Sequence, residues 1–259
     1  MSAQRSRVLT GFVSNLVNYA TARGITIDSI SESTGINRTA LIDHESRLSD
    51  EVVPKIWRLI ASSSDVYPET LRMASAAPTS VLGPVAQLIR YAVTFGDAID
   101  AVARFSTLLA DRVEVRRIEL EDAVALQAWH PLDSVDGGYA GEFGIAIVAR
   151  VLTLCLGKNC IEGVDFAHAP HGSVKAYEKY FGVSPGFEQQ HNRLLLRRAV
   201  LDHPMREANS NLFEYVQANV ELLEDRWRIP GDRDTIAYTY KAAQSNARSG
   251  IFTVDALAR

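Results

Sequence analysis

The sequence has little cysteine and no surplus of positive charge. Its 259 residues include two cysteines, Cys155 and Cys160, and neither has a further cysteine or histidine at the spacing of a zinc site. We therefore expect reduced thiols in a cytoplasmic protein. The 27 basic and 31 acidic residues leave a net charge of −4, so no overall positive field would hold the chain on nucleic acid.

A long apolar run is also missing. The longest stretch, residues 143–156, contains Arg150 and Thr153 and is too short and too polar to span a bilayer. The first seven residues are polar and no apolar segment follows them, so we expect no secretory signal. The sequence thus predicts a soluble, cytoplasmic protein with no membrane partner.

Catalytic motifs are absent as well. The chain has no GxGxxG loop, P-loop, HExxH or GxSxG motif, which predicts that it is not an enzyme and has no cofactor. His168 and His171 stand three apart, but in an extended or turning segment this spacing does not by itself place two nitrogens on one metal. Hydrogen bonding at a strand end explains the pair equally, so no metal site is predicted.

Two apolar periods divide the chain. A helical period predicts helices over residues 9–22, 50–62, 80–92, 98–109, 142–156, 174–181 and 205–227. Two further short helices flank Gly35, with Thr26 or Asp28 and then Asn37 as candidate caps. Extended runs predict strands over residues 113–120, 123–130, 160–169 and 186–200. The expected class is α+β: a helical N-terminal region, a small antiparallel sheet covered by helices, and a long C-terminal helix.

The clearest linker is residues 228–234, where Pro-Gly breaks any helix and the charges stay in water. It separates a domain over residues 1–227 from a short remainder over 235–259. We expect the domain to comprise a helical subregion, 1–75, and an α+β core, 76–227. The remainder stops one turn into an amphipathic segment, which predicts a fragment or a truncated product.

Candidate ligand-binding residues cluster around the helix predicted at 142–156, which is expected to be buried on every side. Glu142 opens it, either as a first-turn charge favoured by the helix N-terminus or as a carboxylate facing a pocket for a cationic or hydroxylated ligand. The residues expected to line the same cavity, or else to be ordinary core or rim residues, are Trp129, His130, Phe166, His168 and Tyr177.

Over residues 8–225, the order of scattered motifs resembles the N-terminal effector domain of AraC/XylS-type transcriptional regulators, in the arabinose-binding-like subgroup. The segments that carry the resemblance are Leu82-Gly83, Thr94-Phe95-Gly96-Asp97-Ala98, Trp129-His130, Glu142, Val164-Asp165-Phe166-Ala167-His168-Ala169-Pro170, Tyr180-Phe181-Gly182 and Leu201 followed by Pro204.

The resemblance implies a ligand-sensing, dimerising domain of a bacterial regulator, with a small-molecule effector and a homodimer partner. It also implies that DNA is contacted only through a C-terminal domain with two helix-turn-helix units. Residues 253–259 are similar to the first helix of that domain, so the DNA-binding part is expected to be truncated.

Two other functions stay open. A stand-alone DNA-binding protein would use the helix-turn-helix-like segment 25–48, where Asn37 and Arg38 are weak base-reading candidates. Residues 1–50 hold equal numbers of acidic and basic side chains, which favours a structural helical cap instead. A small-molecule enzyme would use Glu142 with His168 or His130, but no nucleophile–base spacing supports it.

Overall fold

The computed structural model of the protein describes residues 6–62, 67–157 and 159–227. The helices in these ranges are α1 Thr10–Ala22, α2 Ile27–Thr34, α3 Val52–Ser62, α4 Glu69–Ala76, α5 Pro84–Tyr91, α6 Phe95–Phe105, α7 Asp133–Asp136, α8 Tyr139–Leu156, α9 Val174–Phe181 and α10 Ser210–Trp227. The strands are β1 Arg7–Leu9, β2 Arg47–Ser49, β3 Glu114–Glu119, β4 Ala123–Trp129, β5 Ile161–Asp165 and β6 Asn192–Arg197. The predicted α+β class is confirmed. The predicted linker 228–234 and the remainder 235–259 lie outside the described residues.

The N-terminal region is mainly helical. Thr26 caps α2 by accepting a hydrogen bond from the Ser29 amide, and Gly35 ends the helix at a φ of 77°. Asn37 caps the next element, as predicted, but that element is a four-residue 3₁₀ helix, Arg38–Leu41. A recognition helix of ordinary length is therefore not formed here. The region also contains a short two-stranded sheet that was not predicted, in which β1 and β2 pair antiparallel.

The middle of the chain follows its capping signals. Thr94 and Asp97 form a capping box, so α6 begins at Phe95, earlier than the predicted residue 98. The helix predicted at 80–92 is a 3₁₀ turn, Thr79–Leu82, followed by α5. Helix α4 was not predicted from the sequence.

The larger sheet is antiparallel throughout, in the order β3-β4-β6-β5. The predicted hairpin between the first two strands is confirmed, and Leu126 at its centre lies opposite Arg117 on one side and Leu194 on the other. The third and fourth strands are shorter than predicted, and β6 ends in a 3₁₀ turn at residues 198–200.

Helix α8 packs against the sheet and against α3, α4 and α5, so it is the central helix of the compact unit formed by residues 1–221. It is not buried on every side as predicted, because Leu154 is 48% exposed. By length and hydropathy α8 is also the one described helix that qualifies to cross a membrane. A soluble protein's core helix passes the same test, and half of this one is buried inside the fold.

Helix α10 begins at Ser210 rather than at the predicted residue 205. Asn209 explains the later start, because its side chain accepts a hydrogen bond from the Leu212 amide as an N-cap. The preceding segment is held by backbone bonds, from the Met205 amide to the Val93 carbonyl and from the Arg206 amide to the Cys155 carbonyl.

Candidate ligand-binding site

A cavity of about 170 Å³ lies between one face of α8, the sheet, and helices α1, α3, α5 and α6. Its walls are almost entirely apolar. The residues that represent each wall are Phe12, Val53, Val85, Val102, Leu126 and Ile147. A cavity of this size with apolar walls holds a small hydrophobic molecule, such as a single aromatic ring, without displacing the surrounding side chains.

Gly144 contributes to the space inside this cavity. It lies on the cavity face of α8, and a Cβ placed on it would meet no atom within 4 Å. Gly141, one turn earlier, differs because a Cβ there would lie 2.8 Å from Asn192 Nδ2. The helix therefore needs glycine at position 141 for close packing, whereas position 144 has room for a side chain.

Four polar residues, Asp50, His130, Asp133 and Asp136, are grouped among the lining residues at one end of the cavity, although polar atoms form almost none of its surface. The Leu132 amide donates to His130 Nδ1, so the ring proton is on Nε2, which lies 3.3 Å from Asp50 Oδ2. Burial opposes ionisation of Asp50 and is the largest single influence on it, but contacts with His130, Ser6 and Arg112 together outweigh burial and lower the pKa of the carboxyl.

Asp133 is a destabilised carboxylate at this end. Burial, with a smaller contribution from the negative charge of Asp136, raises its pKa to about 6. The hydrogen bond that it accepts from the His130 amide acts in the opposite direction and lowers the pKa. Burial also raises the pKa of Asp136, although this side chain accepts hydrogen bonds from the Gly138 and Ala140 amides. A ligand group that donates a hydrogen bond or carries positive charge would stabilise the buried carboxylates of Asp133 and Asp136.

A second polar cluster lies on the opposite face of α8, around Glu142. The Glu142 side chain is completely buried. Oε2 accepts a hydrogen bond from the Tyr177 hydroxyl at 2.7 Å and lies 3.1 Å from His171 Nδ1, while Oε1 accepts from the Thr70 hydroxyl. Burial together with the charge of Glu142 raises the pKa of Tyr177 and keeps its hydroxyl protonated.

Aromatic rings enclose this cluster. His171 is stacked between Tyr139 and His168, with ring centroids 3.8 and 4.3 Å away. Burial lowers the pKa of His168. Gly138 permits the stack, because it has a φ of 91° and a Cβ there would lie 2.3 Å from the His168 ring. Phe166 packs on His168 at 5.2 Å and completes the wall.

The six predicted site residues therefore fall into two groups rather than one cavity. Trp129, which is 51% exposed, and His130 line the apolar cavity. The other four, Glu142, Phe166, His168 and Tyr177, form the cluster on the far face of α8. The expectation that all six line one cavity is therefore wrong. The sequence did not indicate the contact between His171 and Glu142, nor the site residues Asp133, Asp136, Gly144 and Thr70.

Comparisons with known proteins agree with the fold. The chain is similar to the crystal structure of the transcriptional regulator CdpR from Pseudomonas aeruginosa, with a TM-score of 0.60 and 16% sequence identity. The match covers 93% of this chain and 80% of that one. No curated protein matches the chain.

The family comparison confirms the resemblance predicted from the sequence. Residues 24–205 match the model of the arabinose-binding domain of AraC transcription regulators, N-terminal part, and this match spans more than half of the 259 residues. The chain therefore belongs to the AraC family of transcription regulators, through their N-terminal arabinose-binding domain.

Proposed function

We propose that this chain is the ligand-sensing, dimerising part of a cytoplasmic AraC-type regulator, that it is not an enzyme, and that the cavity beside α8 is its effector site. The observation that carries the proposal is an apolar cavity with the buried, destabilised carboxylate of Asp133 at one end. Buried ionisable groups with a strongly shifted pKa are typical of functional sites.

The cavity also defines the chemistry of the effector. Its volume suits a compact apolar body, and the carboxylates of Asp50, Asp133 and Asp136 stand among its lining residues at one end. An effector with a hydroxyl or amino group beside a small ring or branched chain satisfies both features. A ligand carboxylate would face like charges and is disfavoured.

Two cavity-lining helices give a route from the ligand to α10. Val85 on α5 and Val102 on α6 line the cavity. Further along the same helices, Arg90 pairs with Glu207 at 2.6 Å and Arg104 pairs with Glu221 on α10 at 2.5 Å. We infer that an effector shifts the population of α5 and α6 arrangements and thereby the position of α10, which leads toward the DNA-binding part of the full regulator.

The dimer interface is proposed on α10. Within residues 210–221, Leu212 is 40% exposed and Tyr215 is 69% exposed. These side chains are one turn apart on the same helix, so a second copy can cover both. DNA contact is assigned to the C-terminal domain of the full-length protein, because segment 25–48 offers only a four-residue 3₁₀ helix after its turn.

Thermal unfolding with four small aromatic compounds tests the effector site. We expect benzylamine and benzyl alcohol to raise the melting temperature most, toluene less, and benzoate least. Gly144→Leu should fill the cavity and abolish the response, while the matched variant Gly144→Ala should keep it. Equal responses of both variants to benzylamine would refute the assignment of this cavity.

A variant of the α6–α10 ion pair tests the transmission route separately. In the full-length regulator, Arg104→Ala should leave the benzylamine affinity unchanged and alter the ligand dependence of operator binding. Arg116→Ala is the matched control, since Arg116 is an exposed arginine on β3. An unchanged operator response in Arg104→Ala would remove the proposed route while leaving the effector site intact.

A further inference from the structure

The two histidines of the Glu142 cluster have their ring protons fixed by backbone carbonyls. His168 Nδ1 lies 2.8 Å from the Ala169 carbonyl oxygen, and His171 Nε2 lies 2.9 Å from the Gly137 carbonyl oxygen. A carbonyl oxygen only accepts, so both of these nitrogens donate. The remaining nitrogens, His168 Nε2 and His171 Nδ1, lie 3.5 and 3.1 Å from Glu142 Oε2.

Glu142 itself is arranged as a carboxylate. The hydroxyls of Thr70 and Tyr177 both donate to it, one to each oxygen. In the neutral rings, the two remaining histidine nitrogens therefore point lone pairs at an anionic oxygen, which is electrostatically unfavourable. His168 Nε2 is buried and has no hydrogen-bond partner within the part of the chain that the structure describes.

Three electron-pair donors thus converge on one small region. His168 Nε2, His171 Nδ1 and a Glu142 oxygen all lie within 4.8 Å of one another. A cation among them would convert the repulsion into attraction and would give His168 Nε2 a partner. Two imidazoles and one carboxylate form a donor set that suits borderline divalent ions such as Zn²⁺.

We propose that Glu142, His168 and His171 bind a divalent transition-metal ion of the Zn²⁺ type. The backbone carbonyls accept hydrogen bonds from the ring nitrogens that face away from Glu142, as outer-shell acceptors do for metal-binding histidines, and the hydroxyls of Thr70 and Tyr177 hold the carboxylate. The site lies on the opposite face of α8 from the effector cavity and was not predicted from the spacing of the histidines alone. It stands independently of the proposed effector site.

Metal binding also predicts a change in the ring stack. The two imidazoles are parallel to within 8°, and an imidazole nitrogen binds a metal in the plane of its ring, so one ring turns when both coordinate. Tyr139 stacks on His171 and also on Trp57, whose ring centroid is 5.9 Å away. The signal expected from binding is therefore a change in Trp57 fluorescence.

The test uses the full chain without a histidine tag, stripped with EDTA and titrated calorimetrically with Zn²⁺. We expect one ion per chain. Loss of one outer-shell partner of a metal ligand weakens binding by up to ~100-fold, so loss of a ligand itself, in His168→Asn or His171→Asn, should weaken it by at least ~100-fold. His203→Asn, in an exposed turn, is the matched control and should bind as the unmodified chain does. Co²⁺ should give a visible absorption band that both site variants lose.

Several results would overturn the metal site. One is a lack of stoichiometric Zn²⁺ uptake. The same conclusion holds if NMR shows that both histidines bind protons but not Zn²⁺. Another is Zn²⁺ affinity equal in the unmodified chain and in His168→Asn, or lost in His203→Asn. Should circular dichroism show His171→Asn unfolded, His168→Asn decides by itself. Failure here leaves the benzylamine response of the effector cavity unaffected, so the two proposals are separable.

Discussion

Replacing Asp133 with asparagine should stabilise the protein, although it removes a charged, hydrogen-bonded side chain. The pKa of Asp133 is raised from 3.8 to about 6 because the carboxylate is buried. At about 1.4 kcal/mol per pKa unit, burial of the charged form costs roughly 3 kcal/mol above pH 6. Asparagine keeps an oxygen acceptor for the His130 amide and carries no charge, so Asp133→Asn avoids this cost.

The pH dependence gives the sign of the effect. The folded state binds the Asp133 proton more tightly than the unfolded state, so the unmodified protein gains stability as pH falls from above 6 toward 3.8. The advantage of Asp133→Asn should therefore be roughly 3 kcal/mol at pH 8 and should shrink steadily as pH falls through 6.

Urea unfolding at a series of pH values, with unchanged m-values, measures this difference. Asp202→Asn, at an exposed position, is the control and should show no such trend. A difference between Asp133→Asn and the unmodified protein that does not vary with pH, or a loss of stability at pH 8, would show that the buried charge of Asp133 does not destabilise the fold. The variant should also bind benzylamine more weakly than the unmodified chain while its affinity for toluene is unchanged.

Further predictions concern the helix that separates the two sites. Gly144→Ala should raise the free energy of unfolding by about 1 kcal/mol, because alanine favours a helix interior and its Cβ enters open space. Gly141→Ala should lower it, since the Cβ would crowd Asn192, and chemical denaturation of both variants measures the contrast. A stabilised Gly141→Ala would contradict the packing. Tyr177→Phe should lower the free energy of unfolding by about 1.5–3 kcal/mol, because it removes a buried hydrogen bond to the Glu142 carboxylate. A neutral hydrogen bond contributes at least about 0.5 kcal/mol, so a smaller loss would contradict the bond.

Elements with a strong local signal were predictable from the sequence. The apolar period of α1, the capping residues Thr26 and Asn37, and the hairpin of β3 and β4 all appear where their patterns indicated. Strands β1 and β2 were missed because three residues are too few to show an alternating pattern, and they pair over a long sequence separation. The shortened β6 reflects tertiary pairing, which a local pattern does not contain.

The separation of the predicted site residues onto two faces of α8 is a consequence of helix geometry that the sequence analysis did not take into account. At 3.6 residues per turn, Glu142 and Gly144 project in nearly opposite directions from α8, so they cannot face one cavity. The roles of Asp133 and Asp136 could not be predicted, because acidic residues before a Gly-Gly turn are ordinary surface features and only the tertiary fold buries them. The contact of His171 with Glu142 likewise depends on how the loop after β5 folds back onto α8.

An NMR titration of the ¹⁵N-labelled chain with benzylamine determines where on the protein this ligand binds. We expect saturable shifts that are largest for amides lining the cavity, including Gly144, Ala128 and Asp133, and that disappear in Gly144→Leu. Shifts confined to surface residues or to the Glu142 cluster, or shifts that persist in Gly144→Leu, would contradict the cavity as the effector site.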